Sequence, residues 1–368
     1  MISRLPSPVS AVRQPPHARS PRTGRPENFD RSRRRQFGDA RPTLTFSLKP
    51  VPPFRLDLTA WTLRRRASNS IDRWDGEQYR RVLVLQDSPF EVAVTQSGSV
   101  DAPQLHVTIT GSPILPETKM LALRSLERLL GLRIDLAEFH GLFANDARLG
   151  QLISRFRGAK PPRFPSVFEA LVNAIACQQM SLSLGILLLS RLSEKFGMSV
   201  ETVKGEAHAF PRPEDVVHLE PGDFRELGFS RQKARAIIAV ADACSSGEYQ
   251  GDELESLDNS SVVERLLPLR GIGRWSAEYV LLRGLGRLDV YPGDDVGARN
   301  NLKRWLGLRK PLDYDGVRRI TRRWQPYAGL VYFHMLLDRL AASGNLAPSK
   351  GSAGSTPSVA EARDERKS

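Results

Sequence analysis

The stretch Leu266-Leu267-Pro268-Leu269-Arg270-Gly271-Ile272-Gly273-Arg274-Trp275, carried on to Tyr291-Pro292-Gly293-Asp294-Asp295, decides the fold. It reads as the end of a helix, a very tight turn and a second helix. Gly271 and Gly273 bracket Ile272, so the turn is expected to use backbone angles that residues with a Cβ avoid. Such a turn leaves N–H groups unpaired at the start of the second helix, and with the positive end of the helix dipole they suit a phosphate. The second helix is predicted from about Arg274 to Leu285, with Ala277, Val280, Leu281 and Leu285 at helical spacing. Gly284 and Gly286 break it. The carboxylate pair that follows opens a further helix, Val296 to about Leu306. An anion-binding hairpin tied by one buried helix to a carboxylate can hold a nucleic-acid backbone and do chemistry beside it.

The chain has 368 residues and a net charge of +13, room for about two or three domains and a large core. No run of about 18 apolar residues exists, so no membrane-spanning helix is expected. The richest apolar stretch, Leu182 to Leu189, fits a buried helix. The two cysteines, Cys177 and Cys244, offer neither a zinc ligand set nor four-cysteine iron–sulfur spacing. Residues 1–40 carry nine arginines against three acids, residues 348–368 four basic against three acidic groups, and the body keeps a net +6. A basic body fits nucleic-acid binding, although this excess is modest for its size.

Residues 1–40, rich in Pro, Arg and Ser, read as a disordered basic tail. Arg31, Arg33, Arg34 and Arg35 could meet phosphates there or simply face solvent, and six prolines argue against the helix of a transit peptide. Residues 41–136 read as an α+β N-terminal domain, an antiparallel sheet with helices. Thr43–Leu48, Arg81–Leu85, Phe90–Val94 and Leu105–Ile109 alternate or run β-branched, a helical piece carries Trp61 and Leu63 ahead of Arg64, Arg65 and Arg66, and Leu121 to Leu130 is a helix ended by Gly131. From Ala137 to residue 346 strands vanish and the body reads as all-α. Ser166 caps a helix running to Cys177, Leu184 to Phe196 is an apolar helix closed by Gly197, and Asp315 is expected to cap Gly316–Trp324. Pro326 opens a last helix to about Ala342. Residues 347–368 read as a second disordered tail.

This order of motifs resembles the helix-hairpin-helix, Gly/Pro-rich loop, catalytic-Asp signature of the DNA glycosylase superfamily, and within it the bacterial 3-methyladenine DNA glycosylase II family. The resemblance rests on Leu-x-Gly-Ile-Gly-Arg-Trp at the hairpin and Asp294-Asp295, with Asp295 twenty residues after Trp275. It rests also on Ala174-Ile175-x-x-Gln178 before the Ser181 helix, Leu227-Gly228-x-x-x-x-Lys233-Ala234, and Trp324-x-Pro326 before a long helix. It covers roughly residues 43–345 and implies an all-α helix-hairpin-helix glycosylase body behind the α+β domain. The implied activity is that of a monofunctional glycosylase, which releases an alkylated purine by hydrolysis in base excision repair. Members that also cut the strand carry a lysine where this chain has Trp275, to form a Schiff base with the sugar.

The site residues follow from that resemblance. Asp295 is the catalytic candidate, a carboxylate that stabilises the charge developing on the sugar or orients and deprotonates water; on spacing alone it reads as an N-cap of the helix beginning at Val296. Trp275 and Tyr279, with Trp61 as a third candidate, form the base pocket, where an aromatic face attracts a cationic base. Arg270, Gly271, Gly273, Arg274, Gln178 and Gln179 are the DNA-binding candidates. The resemblance implies a monovalent cation at the backbone carbonyls of Leu267, Leu269 and Gly271, and otherwise no cofactor, neither iron–sulfur cluster nor zinc. It also implies damaged double-stranded DNA as partner, no membrane, a monomer, and a cytoplasmic place at the nucleoid. Two positions depart from the family: Gln179 stands where the bacterial enzyme has an apolar wedge, and Leu336 where it has a pocket Trp. His334, among apolar neighbours, reads as a core residue. A DNA-binding module without turnover and a glycosylase for a neutral base, deaminated or oxidised, are the alternatives.

Overall fold

The computed structural model describes residues 42–249 and 251–346; the two expected tails lie outside the described residues. The first layer is a five-stranded antiparallel sheet. Its strands are β1 (Thr43–Leu48), β2 (Arg73–Trp74), β3 (Gln78–Leu85), β4 (Ser88–Gly98) and β5 (Pro103–Thr110), in the spatial order β1-β5-β4-β3-β2. The β3–β4 hairpin closes at Leu85↔Ser88. Its two turn residues, Gln86 and Asp87, both take positive φ, 49° and 58°, the twist a two-residue hairpin demands. Leu105, Val107 and Ile109 alternate inward from β5. They pack under α1 (Leu56–Arg64) and α2 (Thr118–Leu130) with Phe54, Leu63, Leu126 and Leu130.

The helical part holds α3 (Ala137–Phe143), α4 (Leu149–Arg155), α5 (Val167–Cys177) and α6 (Leu182–Phe196). Strands β6 (Ser199–Thr202) and β7 (Gly205–His208) follow, so strands do not vanish after Ala137. This hairpin is too short to show an alternation of its own. Val200 and Ala207 are buried because they close over Val82 on the sheet, a tertiary contact that local sequence does not announce. Then come α7 (Pro213–Val216), α8 (Pro221–Glu226), α9 (Arg231–Ser245), α10 (Gly251–Ser256), α11 (Asn259–Leu266), α12 (Arg274–Arg283), α13 (Val296–Leu306), α14 (Tyr314–Thr321) and α15 (Ala328–Ala342).

Two cores divide these helices. One gathers α5, α6, α9 and α12 around Leu171, Ile175, Leu189, Ile237 and Val280. The other is discontinuous in sequence: Phe139 and Leu152 from α3 and α4 pack with Leu302, Val317, Trp324 and Leu337, and Leu58 of α1 joins them. Side-chain caps start most of the long helices. Ser166, Ser181, Ser230 and Asp258 accept from backbone N–H groups of α5, α6, α9 and α11. Two boundaries differ from expectation. Asp313, not Asp315, caps α14 by accepting from Gly316 N–H at 2.8 Å, which leaves Asp315 in the first turn, where a carboxylate meets the helix dipole. The last helix begins at Ala328 behind the cis peptide Gln325-Pro326, not at Pro326.

Candidate active site

The turn between α11 and α12 is the predicted hairpin, but its glycines differ in duty. Gly271 has φ +80°, and a Cβ there would lie 2.8 Å from the Ala236 Cβ of α9. Gly273 has φ −112°, which any residue adopts, and a Cβ there would meet nothing within 4 Å. It is therefore not the turn that needs Gly273; its missing side chain leaves open space over the start of α12. Gly273 is also the N-cap of α12 and supplies no side-chain acceptor to the first-turn N–H groups. Ile272 is buried beneath, while Arg270, Gly271, Gly273 and Arg274 are exposed. The Leu269 carbonyl accepts from Ile272 N–H and the Gly271 carbonyl from the Gln178 side chain. Each of these two carbonyls keeps a second lone pair.

The loop between α5 and α6 lies against this hairpin. Gln178 Nε2 donates to the Gly271 carbonyl and to Ser276 Oγ, each at 2.7 Å, which makes Gln178 a strut that locks loop to turn. Lys233 of α9 donates to the carbonyls of Ala176 and Gln178, both at 2.8 Å. Gln179, next along, is exposed with φ +53°, a strained position for a residue with a Cβ that sets it at the rim.

Beneath the rim opens a cavity of about 1200 Å³. Trp275 and Tyr279, one turn apart on α12, form part of its wall, with ring centroids 5.5 Å apart and tilted by 35°. Asp295 also lines it. Its carboxylate does two things: Oδ1 accepts from Ala298 N–H at 2.8 Å as the cap of α13, and Oδ2 accepts from Trp275 Nε1–H at 3.3 Å. Asp294 is turned to structural work, pairing with Arg274 of α12 at 2.5 Å and with Arg299 of α13. The Arg274 guanidinium stacks 3.7 Å from the Tyr314 ring centroid, so this arginine is held to the protein and half-exposed instead of reaching freely toward phosphate. Glu278 steadies the loop from behind, accepting from Gly293 N–H at 2.9 Å and from the Tyr314 hydroxyl at 2.6 Å. Burial raises the Glu278 pKa against the pull of those two bonds. Gly293 must be glycine, since a Cβ would lie 2.7 Å from the Tyr314 ring.

Trp61 is not part of the cavity wall; the Arg64 guanidinium lies 5.2 Å from its ring. The residue that α1 contributes is Arg65, its C-cap, whose φ of +58° swings the side chain inward. The triple-arginine run reads as a solvated charge cluster, and nothing local distinguishes its middle member. Tyr332 was likewise not foreseen; it lines the cavity from α15 with Leu336, one turn on, and that i, i+4 spacing from a flagged position was the available signal. His334, by contrast, is buried and turned away, its Nδ1 2.9 Å from the Leu330 carbonyl.

Among the described residues no group of three or more His, Cys, Asp or Glu is placed to hold a metal, and no helix is long and apolar enough to cross a membrane. Residues 172–326 match the family described as HhH-GPD superfamily base excision DNA repair protein. DNA-3-methyladenine glycosylase 1 of Schizosaccharomyces pombe is 31% identical over 170 residues, 45% of this chain and 71% of that protein. DNA-3-methyladenine glycosylase 2 of Escherichia coli is 25% identical over 292 residues, 79% of this chain and 96% of that protein. In structure, the 3-methyladenine DNA-glycosylase from Archaeoglobus fulgidus superposes with a TM-score of 0.70 at 26% identity, covering 80% of this chain and 99% of that one. With the hairpin, the buried helix and the carboxylate at the cavity in the order that signature requires, the chain belongs to the HhH-GPD superfamily of base excision DNA repair proteins.

Proposed function

We propose that this protein is a DNA glycosylase that removes alkylated purines from damaged duplex DNA by hydrolysing the N-glycosidic bond. The observation that carries this is Asp295: its carboxylate opens onto the same cavity as Trp275 and Tyr279, at the exit of the hairpin. A base turned out of the helix enters the cavity against those rings. As its bond to C1′ breaks, the electron pair leaves with the base and the sugar becomes cationic. Asp295 faces that charge and the water that quenches it. Capping α13 and bonding Trp275 holds the carboxylate still, so little reorganisation is needed at the moment of reaction.

The hairpin holds the strand through the N–H groups above Gly273, with exposed Arg270 adding charge and a monovalent cation at the Leu267, Leu269 and Gly271 carbonyls adding more. Gln179, at the rim, fills the gap left by the flipped base. The reaction ends at an abasic site without strand cleavage, because Trp275 cannot form a Schiff base and none of the described cavity-lining residues is a lysine. No cofactor takes part in bond cleavage. The protein acts as a monomer, with the cell's DNA in the cytoplasm, and the α+β domain of residues 41–136 and the helical body of 137–346 work as one unit.

The test is a panel of duplexes, each with one methylated, deaminated or oxidised base. Release of free alkylated purine, leaving sites that alkali cleaves but that borohydride does not trap on the protein, is the expected result. Duplex binding with no base release from any member would show a DNA-binding module instead.

A further inference from the structure

Against Tyr279 sit two guanidinium groups that form no ion pair among the described residues. Arg65, 5% exposed, donates from Nη1 to the Tyr279 hydroxyl at 2.8 Å and from Nη2 to Asn173 Oδ1 at 2.7 Å. Its Nε is buried without a partner among the described residues. Arg283, 1% exposed, donates from Nη2 to the Thr62 carbonyl, and its guanidinium lies 5.2, 5.8 and 5.4 Å from the rings of Phe164, Tyr279 and Phe333. Neither makes an ion pair within 4 Å among the described residues. Tyr279 is thus held by one cation through its hydroxyl and faced by another through its ring. A ring that already serves one cation is a poorer host for a second. The charges lining the cavity run the same way: Arg65, Arg66 and Arg339 stand against Asp295, since Arg274 and Asp294 pair with each other.

Charge matters at this place because lesions differ in the charge of the leaving base. A purine methylated on a ring nitrogen is cationic in DNA and leaves neutral when the electron pair of the C1′–N bond returns to it. An uncharged lesion, such as a purine whose alkyl bridge closes an extra ring, takes the same electron pair and leaves as an anion unless it is protonated. A fixed guanidinium repels the first in the ground state and stabilises the second as it departs. We propose that Arg65 is a specificity-determining residue that biases this pocket toward uncharged alkylated purines and against cationic ones. The inference rests on the glycosylase function proposed above and names which alkylated bases it serves.

Single-turnover base release tests it on two duplexes, one with 1,N6-ethenoadenine (uncharged) and one with 7-methylguanine (cationic). Wild type, Arg65→Gln, which keeps a donor toward Tyr279 but not the charge, and Arg65→Lys, which keeps the charge, are compared. The ratio of the two rate constants is read, because general damage to the fold lowers both alike. Arg65→Gln is expected to lower the uncharged-to-cationic ratio by about tenfold or more, and Arg65→Lys to hold it near wild type. An unchanged ratio in Arg65→Gln overturns the inference while leaving the glycosylase function standing. So does Arg65→Lys shifting the ratio as far as Gln does, since charge would then not be the cause. If Arg65→Gln does not fold, the inference stands or falls on Arg65→Lys and the wild-type preference, which must favour ethenoadenine once each rate is divided by that bond's spontaneous rate. Release of neither base by wild type overturns the glycosylase function, and this inference with it.

Discussion

At Asp295 two demands meet on one carboxyl group. One oxygen caps α13 and the other takes the indole N–H of Trp275. Helix capping and the charge stabilisation proposed for this Asp are compatible, because the cap holds the carboxylate at the cavity. The opposite fate befalls His334, the histidine on the last helix. It is buried without a carboxylate partner, and burial, the largest influence, pushes its pKa down to about 4. The unfolded chain would hold that proton with a pKa near 6.5. Between those values the unfolded state binds more protons, so the neutral imidazole supports the fold above pH 6.5 and the support is lost as pH falls toward about 4. Denaturant titrations of wild type and His334→Phe at stepped pH should show the wild type losing more stability than the variant across that window. Parallel curves would mean that His334 stays neutral in both states or is solvated when folded.

At the scale of the element, the hairpin makes a separable prediction. Gly271→Ala places a side chain at φ +80° and against Ala236, and should cost about 1–3 kcal/mol of stability. Gly273→Ala meets no neighbour and should leave the thermal midpoint unchanged while weakening duplex binding, because its Cβ enters the space a phosphate would use. Equal duplex affinity of Gly273→Ala and wild type would remove the hairpin from the interface. The same element shows what could be read beforehand. Helices α5, α6 and α13 announce themselves by Ser or Asp caps, and α6, α12 and α13 by closing glycines, because those signals act within one turn. The cavity-lining residues that could be anticipated, Trp275, Tyr279 and Asp295, sit on those elements or cap them. What escaped depends on distant chain. The β6–β7 hairpin exists because Val82 covers it, and Arg65 enters the cavity because a left-handed C-cap redirects it. Trp61 was misplaced for the same reason: its helix is legible, but the face it turns to the body is set by packing against α15.

At the scale of the molecule, sheet and helices are joined by a buried ionic knot. Arg81 of β3 donates to Asp72 at 2.8 Å and to both oxygens of Glu169 on α5, at 2.7 and 2.6 Å, while the Tyr79 hydroxyl donates to Asp72 at 2.7 Å. Glu169→Gln leaves Arg81 paired with Asp72 but gives up the charge on one acceptor of the knot, so it should lower unfolding free energy by about 2 kcal/mol in urea titration. A change under about 0.5 kcal/mol would show that water enters the joint. The knot holds the sheet domain, and with it α1 and Arg65, against the helical body that carries the carboxylate. On that frame rests the central claim, that Asp295 drives base release while the hairpin supplies the grip on DNA. The measurement is duplex affinity beside single-turnover release of an alkylated purine for wild type and Asp295→Asn. The amide can still accept from Ala298 N–H, so binding should stay within about threefold while release falls by about a thousandfold or more. Release by Asp295→Asn at the wild-type rate, with binding intact, would contradict the account.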